Sequence, residues 1–291
     1  MSRLGIVLLV LLVLMAGCSG FSDGNGAPDR EPYGVDEQIN ASIDEDEEEL
    51  LPGLTTEGVT NTNSLREVHE EAIGNQSYTI ESKTEYLTED GNETIREQVE
   101  VTTYVDPEAE VIYEVQEYYT NDGETDGYVG IQRNQTIKQW IGEKVFVRIE
   151  YEDGTIEYMP APSDPVSVED RLDQTSIRLL DPLQYPQETT TIGVVDSEEG
   201  TYYVVEDREN RSNETSQVIG GQLEEIDVRT LVRDDGLIRQ TIAERLITQN
   251  DEQTTIEQTI EITAINETTV ERPNWDDEAL KAQSQNSTQN R

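Results

Sequence analysis

The chain has 291 residues, with 63 Asp plus Glu against 20 Lys plus Arg, a net charge of −43 and a single cysteine. Nucleic-acid contacts need clustered Lys and Arg, and the few basic residues, only four of them lysines (Lys83, Lys138, Lys144, Lys281), form no cluster. A disulfide framework is excluded too, which leaves one thiol to be explained.

Residues 1–17 read as a signal peptide. Arg3 is a short positive n-region, and Leu4 to Ala16 is apolar apart from Gly5. That run is too short for a bilayer-spanning helix, which needs about 20 residues, and it suits a signal-peptide core. No twin arginine precedes it, so a Sec-type route is expected. Met15, Ala16 and Gly17 lead into Cys18. This resembles the lipobox of secreted lipoproteins, with Met15 where Leu is usual. The resemblance implies cleavage before Cys18 and a lipid on its thiol, and a thiolate is a good nucleophile for such alkylation. An ordinary signal peptide with an incidental cysteine, or an uncleaved anchor, is the alternative.

Residues 18–52 read as a lipid-anchored acidic flexible linker. "GFSDGNGAPDREPYG" mixes Gly, Pro and polar residues, and "DEDEEE" at 44–49 is a like-charge run that stays solvated and extended. A β-rich domain over 53–272 follows, and 273–291 reads as a polar disordered tail.

"SLREVHEEAI" predicts the first helix, with Ser64 and Glu67 as a capping box and Leu65, Val68, Ala72 and Ile73 on one face. His69, the only histidine, falls inside it and reads as a packing or surface residue, since no catalytic partner accompanies it. The period then changes to two. "SYTIESKTEYL" sets Tyr78, Ile80, Ser82, Thr84 and Tyr86 on one face. "IREQVEVTTYV" sets Ile95, Val99, Val101 and Val105 on one face, and "VIYEVQEYY" does so with Val111, Tyr113, Val115 and Tyr119. "NDGETDG" at 121–127 lacks the spacing and terminal Glu of a calcium loop and reads as a hairpin turn. "KVFVRIEY" turns Val145, Val147, Ile149 and Tyr151 one way. A second helix is predicted at 167–180, ending before Pro182. Strands resume through "TTIGVV", "TYYVVED" and "GGQLEEIDVRTLVR". The last two carry Ile238, Ile242 and Leu246, then Ile256, Ile260 and Ile262, on their apolar faces. About eleven antiparallel strands with two short helices make an α+β fold, for which a strongly curved antiparallel sheet that wraps the helices, or encloses something else, is the economical solution.

Several features resemble known groups. The acidic, lysine-poor composition is similar to that of proteins from halophilic archaea, where molar salt screens self-repulsion. The order of helix 64–73 into "SYTIESKTEY", a mid-chain "VEDRLDQTSIRLLDPL" and a final "TIEQTIEITAINETTVERP" resembles haloarchaeal lipoproteins related to the outer-membrane lipoprotein carrier (LolA) and the mycobacterial LppX-type lipoproteins. The resemblance covers about residues 60–272. It implies an unclosed barrel whose cavity holds acyl chains or other apolar ligands. Tyr78, Ile80, Val99, Val101, Val145, Val147 and Ile149 are the candidate cavity residues, with ordinary core packing as the competing role for each. A permanent anchor at Cys18 suits a tethered receptor better than a diffusing shuttle.

Asn-x-Ser/Thr sequons stand at Asn40, Asn75, Asn92, Asn134, Asn210, Asn213, Asn266 and Asn286, and a subset is expected to carry glycans on an exported chain. The sequence holds no HExxH, GxSxG, Walker loop or Cys/His metal cluster. No enzyme, metal or cofactor is therefore expected. The function expected is a lipid-anchored protein on the extracellular face of the cell membrane that binds or chaperones an apolar, lipid-like ligand. The alternative is an envelope structural or interaction module with a filled core, whose partners are other envelope proteins. A glycosidase built on two carboxylates is the third reading, and carboxylate pairs are too abundant here to point to one.

Overall fold

The computed structural model describes residues 48–90, 93–121, 128–131, 133–159, 168, 189–197, 199–210, 216–218, 221–249 and 252–289. Its elements begin with three short strands, β1 (Glu49–Leu51), β2 (Leu54–Thr55) and β3 (Gly58–Val59), followed by helix α1 (Thr62–Ile73). A meander follows: β4 (Tyr78–Asp90), β5 (Glu93–Asp106), β6 (Val111–Thr120), β7 (Gln135–Ile141), β8 (Val145–Tyr151) and β9 (Ile156–Met159). The second meander comprises β10 (Thr190–Ser197), β11 (Gly200–Asn210), β12 (Ser216–Val218), β13 (Gly221–Arg233), β14 (Ile238–Gln249) and β15 (Glu252–Thr263). Helix α2 (Asp276–Gln289) closes the chain.

The large sheet has the order β10-β11-β13-β14-β15-β4-β5-β6-β7-β8-β9, with β12 paired to β13. All its pairings are antiparallel, and its end strands β10 and β9 do not pair with each other. The expected unclosed antiparallel sheet with two short helices is thus the architecture found. Its two meanders join where β15 pairs with β4, in the register Ile262–Ile80 through Ile256–Tyr86.

Strand alternation gives each face its identity. One face carries Tyr78 and Ile80 of β4, Val105 of β5, Ile112 of β6, Ile141 of β7, Val145 of β8, and Ile260 and Ile262 of β15. These pack with Ile73 of α1. On the same face Val205, Leu223, Ile226, Val228, Ala243, Ile247 and Ile256 pack with Leu65 of α1 and with Leu54 from the small sheet β1-β2-β3. This is the α1 face. Burying each large aliphatic side chain here stabilises by about 1.5–3 kcal/mol. The small sheet is tied to the edge of the large one, where Thr191 Oγ1 donates to the Thr55 carbonyl at 2.6 Å and the Val59 N–H donates to Thr189 Oγ1 at 2.7 Å.

Several sequence expectations are corrected. Helix α1 starts earlier than "SLREVHEEAI": Asn61 is its cap, its Oδ1 accepting from the N–H groups of Asn63 and Ser64, so Ser64 lies inside the helix and forms no capping box. Strand β1 begins at Glu49, ahead of the boundary expected at 53. The tail expected to be disordered beyond 272 carries α2, because Trp275 and Ala279 find an aromatic surface to bury against. In β6 the face read as apolar (Val111, Tyr113, Val115, Tyr119) is the one turned away from α1. Ile112 and Glu114 are the residues buried on the α1 face. In β14 the pairing shifts between Val232–Ile238 and Leu231–Gln240, an extra residue that flips the alternation. Ile238 and Ala243 face α1, whereas Ile242 and Leu246 face away. The predicted helix at 167–180 lies outside the described residues except for helical Val168, which packs against the Ile73 cluster.

The β13–β14 turn shows why α1 sits where it does. Asp235 accepts hydrogen bonds from the Arg233 guanidinium and the Leu237 N–H. Gly236 has φ +94, and a Cβ there would lie 2.1 Å from Val68 Cγ1 of α1. Only glycine lets the helix approach this turn so closely.

Candidate functional site

The α1 face is apolar near α1 and polar farther along β4–β8. Ser82, Thr84 and Thr88 of β4 share it with Thr103 and Glu97 of β5, with Glu114 and Gln116 of β6, and with Gln135 and Gln139 of β7. Buried polar groups must be paired, and on β5 and β6 a short ladder does so. Thr103 Oγ1 donates to Glu114 Oε2 at 3.3 Å, Gln116 Nε2 donates to Glu114 Oε1, and Tyr118 Oη donates to Gln116 Oε1 at 2.6 Å.

Glu97 organises the far end of this face. Its side chain is buried and accepts from the N–H groups of Val129 (Oε2) and Ile131 (Oε1), each at 2.7 Å. This two-point grip folds the 128–131 segment over the sheet. Tyr128 stacks on Tyr86 with ring centroids 5.5 Å apart. Burial holds the Tyr86 hydroxyl above its usual pKa, with further contributions from Tyr128, Glu97 and Tyr118, while Arg245 acts in the opposite direction. Removing the carboxylate strands two donors, at about 1–3 kcal/mol for each group that stays buried. Glu97→Ala is expected to lower the unfolding free energy by about 2 kcal/mol. It should also raise amide exchange at Val129 and Ile131 while leaving β14 protected, a pattern that hydrogen-exchange mass spectrometry would read.

The segment leaves an open pocket of about 380 Å³ against β6 and β7. Tyr118, Gln135 and Ile137 form its floor and Val129, Ile131 and Arg133 its wall. The volume lies within the range of small-molecule sites, about 300–1,000 Å³. The guanidinium carbon of Arg133 sits 3.5 Å from the ring centroid of Tyr151, a cation–π contact. Tyr151 Oη in turn donates to Glu157 Oε2 at 3.0 Å.

All seven sequence-predicted cavity residues stand on the α1 face. Tyr78, Ile80 and Val145 are buried in the cluster with Ile73, and Val147 packs against that cluster. Burial raises the Tyr78 hydroxyl pKa strongly. Val99 pairs with Tyr118, Ile149 with Ile137, and Val101 with Gln116. Val99 and Ile149 therefore flank the pocket floor, but the lining residues themselves were not read from the sequence. Ile131 and Arg133 fall in a segment without periodicity, and Tyr118 lies on the β6 face whose alternation points the other way.

Cys18, Asn40, Asn92 and Asn213 lie outside the described residues, and Asn210 and Asn286 have only their backbones described. Asn75 is exposed in the turn after α1. Asn134 holds the Thr120 N–H at 2.9 Å and reaches Glu152 at 3.3 Å. Asn266 is exposed, with φ 63, and donates to Gln76 at 2.7 Å. Among the described residues there is no group of three or more His, Cys, Asp or Glu placed to hold a metal ion, and no helix long and apolar enough to cross a membrane.

These observations define a class: an unclosed antiparallel sheet with a helix on one face and an open pocket beside it. Residues 3–279 match the family described as a family of unknown function (DUF7537), and the chain belongs to that family. No curated protein matches it. Similar solved structures include a DUF1329-family protein from Desulfovibrio piger, 8% identical over 74% of this chain and 95% of that one, with a TM-score of 0.26. A domain assigned to outer-membrane lipoprotein sorting, from Vibrio parahaemolyticus, is 7% identical over 76% of this chain and 100% of that one, TM-score 0.25. A β-barrel-like protein of the DUF1849 type from Brucella abortus is 6% identical over 64% and 98%, TM-score 0.23. At such scores the fold assignment rests on this chain's own strand pairing.

Proposed function

We propose that this is an exported protein, anchored by a lipid on Cys18 after removal of residues 1–17, that holds an apolar, lipid-like ligand on the α1 face of its sheet. The observation that carries the ligand reading is the open pocket of about 380 Å³ on that face. Ile131 and Ile137 give it apolar contacts, and the two backbone hydrogen bonds that Glu97 accepts preform it. A preformed concave site with a few placed polar groups suits a small ligand. In this reading the residues between Cys18 and β1 tether the domain at the outer face of the cell membrane, and the chain performs no chemistry on its ligand. The net charge of −43 supports a life in high salt, as in a halophilic archaeon, where carboxylate repulsion is screened.

A second reading has its own support. The clusters around Leu65 and Ile73 fill the part of the face beneath α1, which suits an interaction module presenting an acidic, glycosylated surface to envelope partners.

Native mass spectrometry of the protein from its own membranes, in high salt, separates the two. A chain starting at Cys18 with a lipid-sized adduct is the expected product, together with a further non-covalent apolar mass that is lost on denaturation. A lipidated chain with nothing else bound would favour the interaction module. An unmodified cysteine or an uncut N-terminus would overturn the anchor.

A further inference from the structure

We infer that Arg133 is a headgroup clamp, and that the ligand of this pocket is an amphiphile whose carboxylate or phosphate end pairs with the Arg133 guanidinium while its chain lies on Ile131 and Ile137. The inference rests on the ligand reading above and names its chemical class.

Among the described residues, this chain employs most of its scarce cations in ion pairs. Arg96, Arg148, Arg229, Arg233, Arg239 and Arg272 each pair with a carboxylate. In so acidic a protein an arginine finds a partner easily. Arg133, among the described residues, has no ion pair within 4.0 Å. Its contact is the face of Tyr151, and its charge is only a minor influence on Asp153, whose pKa is lowered mainly by hydrogen bonds from Thr155. Stacking on a ring occupies the flat face of a guanidinium and leaves its edge, where the N–H donors are, free for a bidentate acceptor. The Tyr151 ring is itself held by its bond to Glu157, so the guanidinium plane is set before a ligand arrives.

Position supplies the second strand. Arg133 lies on the pocket wall and is exposed to solvent, whereas Ile131, on the same wall, is buried and its N–H is gripped by Glu97. The pocket therefore has a charged, wet rim with a buried apolar side chain two residues away. Tyr118 and Gln135 contribute polar atoms beside the rim. Glu152, Asp153 and Glu157 lie on the adjoining β8–β9 hairpin, so an anion is accepted only where the guanidinium offsets their field. Such a rim selects by headgroup placement. A neutral amphiphile gains nothing from Arg133, and a cationic one is repelled by it at close range.

The test uses the full chain and three probes with the same tail: dodecanoate, dodecyl phosphate and dodecanol, titrated by isothermal calorimetry. Charge-assisted hydrogen bonds predict that at least one anionic probe binds about tenfold or more tighter than dodecanol. Arg133→Gln should erase that preference, and Ile137→Glu should weaken all three probes. The relative affinity of dodecanoate and dodecyl phosphate tells which anion the clamp fits. Equal binding of all three probes, or a preference that survives in Arg133→Gln, would overturn the clamp and leave the apolar-ligand reading intact. Failure of all three probes to bind the unmodified chain would overturn both.

Discussion

Replacing Trp275 with alanine is expected to lower the unfolding free energy by about 3–5 kcal/mol, the usual cost of truncating a buried tryptophan. Trp275 is 5% exposed. It meets Phe146 edge-on with centroids 6.5 Å apart and lies 6.3 Å from Tyr158. Phe146 also stacks on Trp140 at 5.5 Å. This cluster lies on the face opposite α1, because Trp140 and Phe146 alternate with Ile141 and Val145 of the α1 side. Trp275 is thus the wedge by which α2 docks on β8 and β9. Without it, Ala279 and Leu280 lose their main neighbour, and amide exchange across 276–289 should become fast. Urea denaturation followed by circular dichroism would measure the energy, and hydrogen exchange would locate it. A loss under about 1 kcal/mol, the size of an ordinary surface substitution or little more, would mean that the sheet does not depend on the helix.

The same cluster explains what the sequence concealed. Alternation tells which face of a strand is more apolar, but not which face lies under a helix. In β4, β5, β8 and β15 the two coincide, so the faces containing Tyr78, Val105, Val145 and Ile260 were legible. In β6 they do not. The opposite face is also covered there, by Trp275 and its neighbours, so Val111 and Tyr113 draw the apolar signal while Ile112 and Glu114 line the α1 side. A tail as polar as "NWDDEALKAQSQNSTQNR" gives no hint of docking, because one tryptophan supplies most of its burial. Glu97 was equally hidden. It occupies an inward position in a strand of valines, where a carboxylate looks out of place until its two backbone donors from the 128–131 segment are seen. The pocket wall had no periodicity to betray it, since its shape comes from that long-range grip. In β14 the extra residue in the pairing moved Ile242 and Leu246 to the other face. Bulges of this kind leave no mark in an apolar–polar pattern.

Between about pH 6.5 and pH 4 the chain is expected to lose stability through His69 alone by about 3 kcal/mol, at 1.36 kcal/mol per unit of pKa shift. The imidazole is 1% exposed, and its Nδ1 accepts the Ile238 N–H at 3.1 Å. The ring must therefore be neutral to keep that bond, with its proton on Nε2. Burial lowers its pKa from 6.5 to about 4, and the charge of Asp235 offsets part of that effect. In the unfolded chain His69 binds a proton near pH 6.5, whereas in the folded chain it does not until about pH 4. The unfolded state thus carries the extra proton throughout this window. The stability His69 contributes is fully present above pH 6.5, falls as pH drops through the window, and is lost by about pH 4. Glu261, whose pKa burial raises, bends the curve in the opposite sense, so the difference between the native chain and His69→Gln is the quantity to measure. Urea titrations at half-unit steps from pH 7.5 to 4.5 should show the native chain losing up to about 1.4 kcal/mol more per pH unit than His69→Gln. His69→Gln should itself start from a lower value at pH 7.5, because the imidazole that fills the gap between α1 and β14 is gone. Parallel curves for the two proteins would mean that His69 titrates alike in the folded and unfolded chain, and that the bond to Ile238 does not hold the ring neutral.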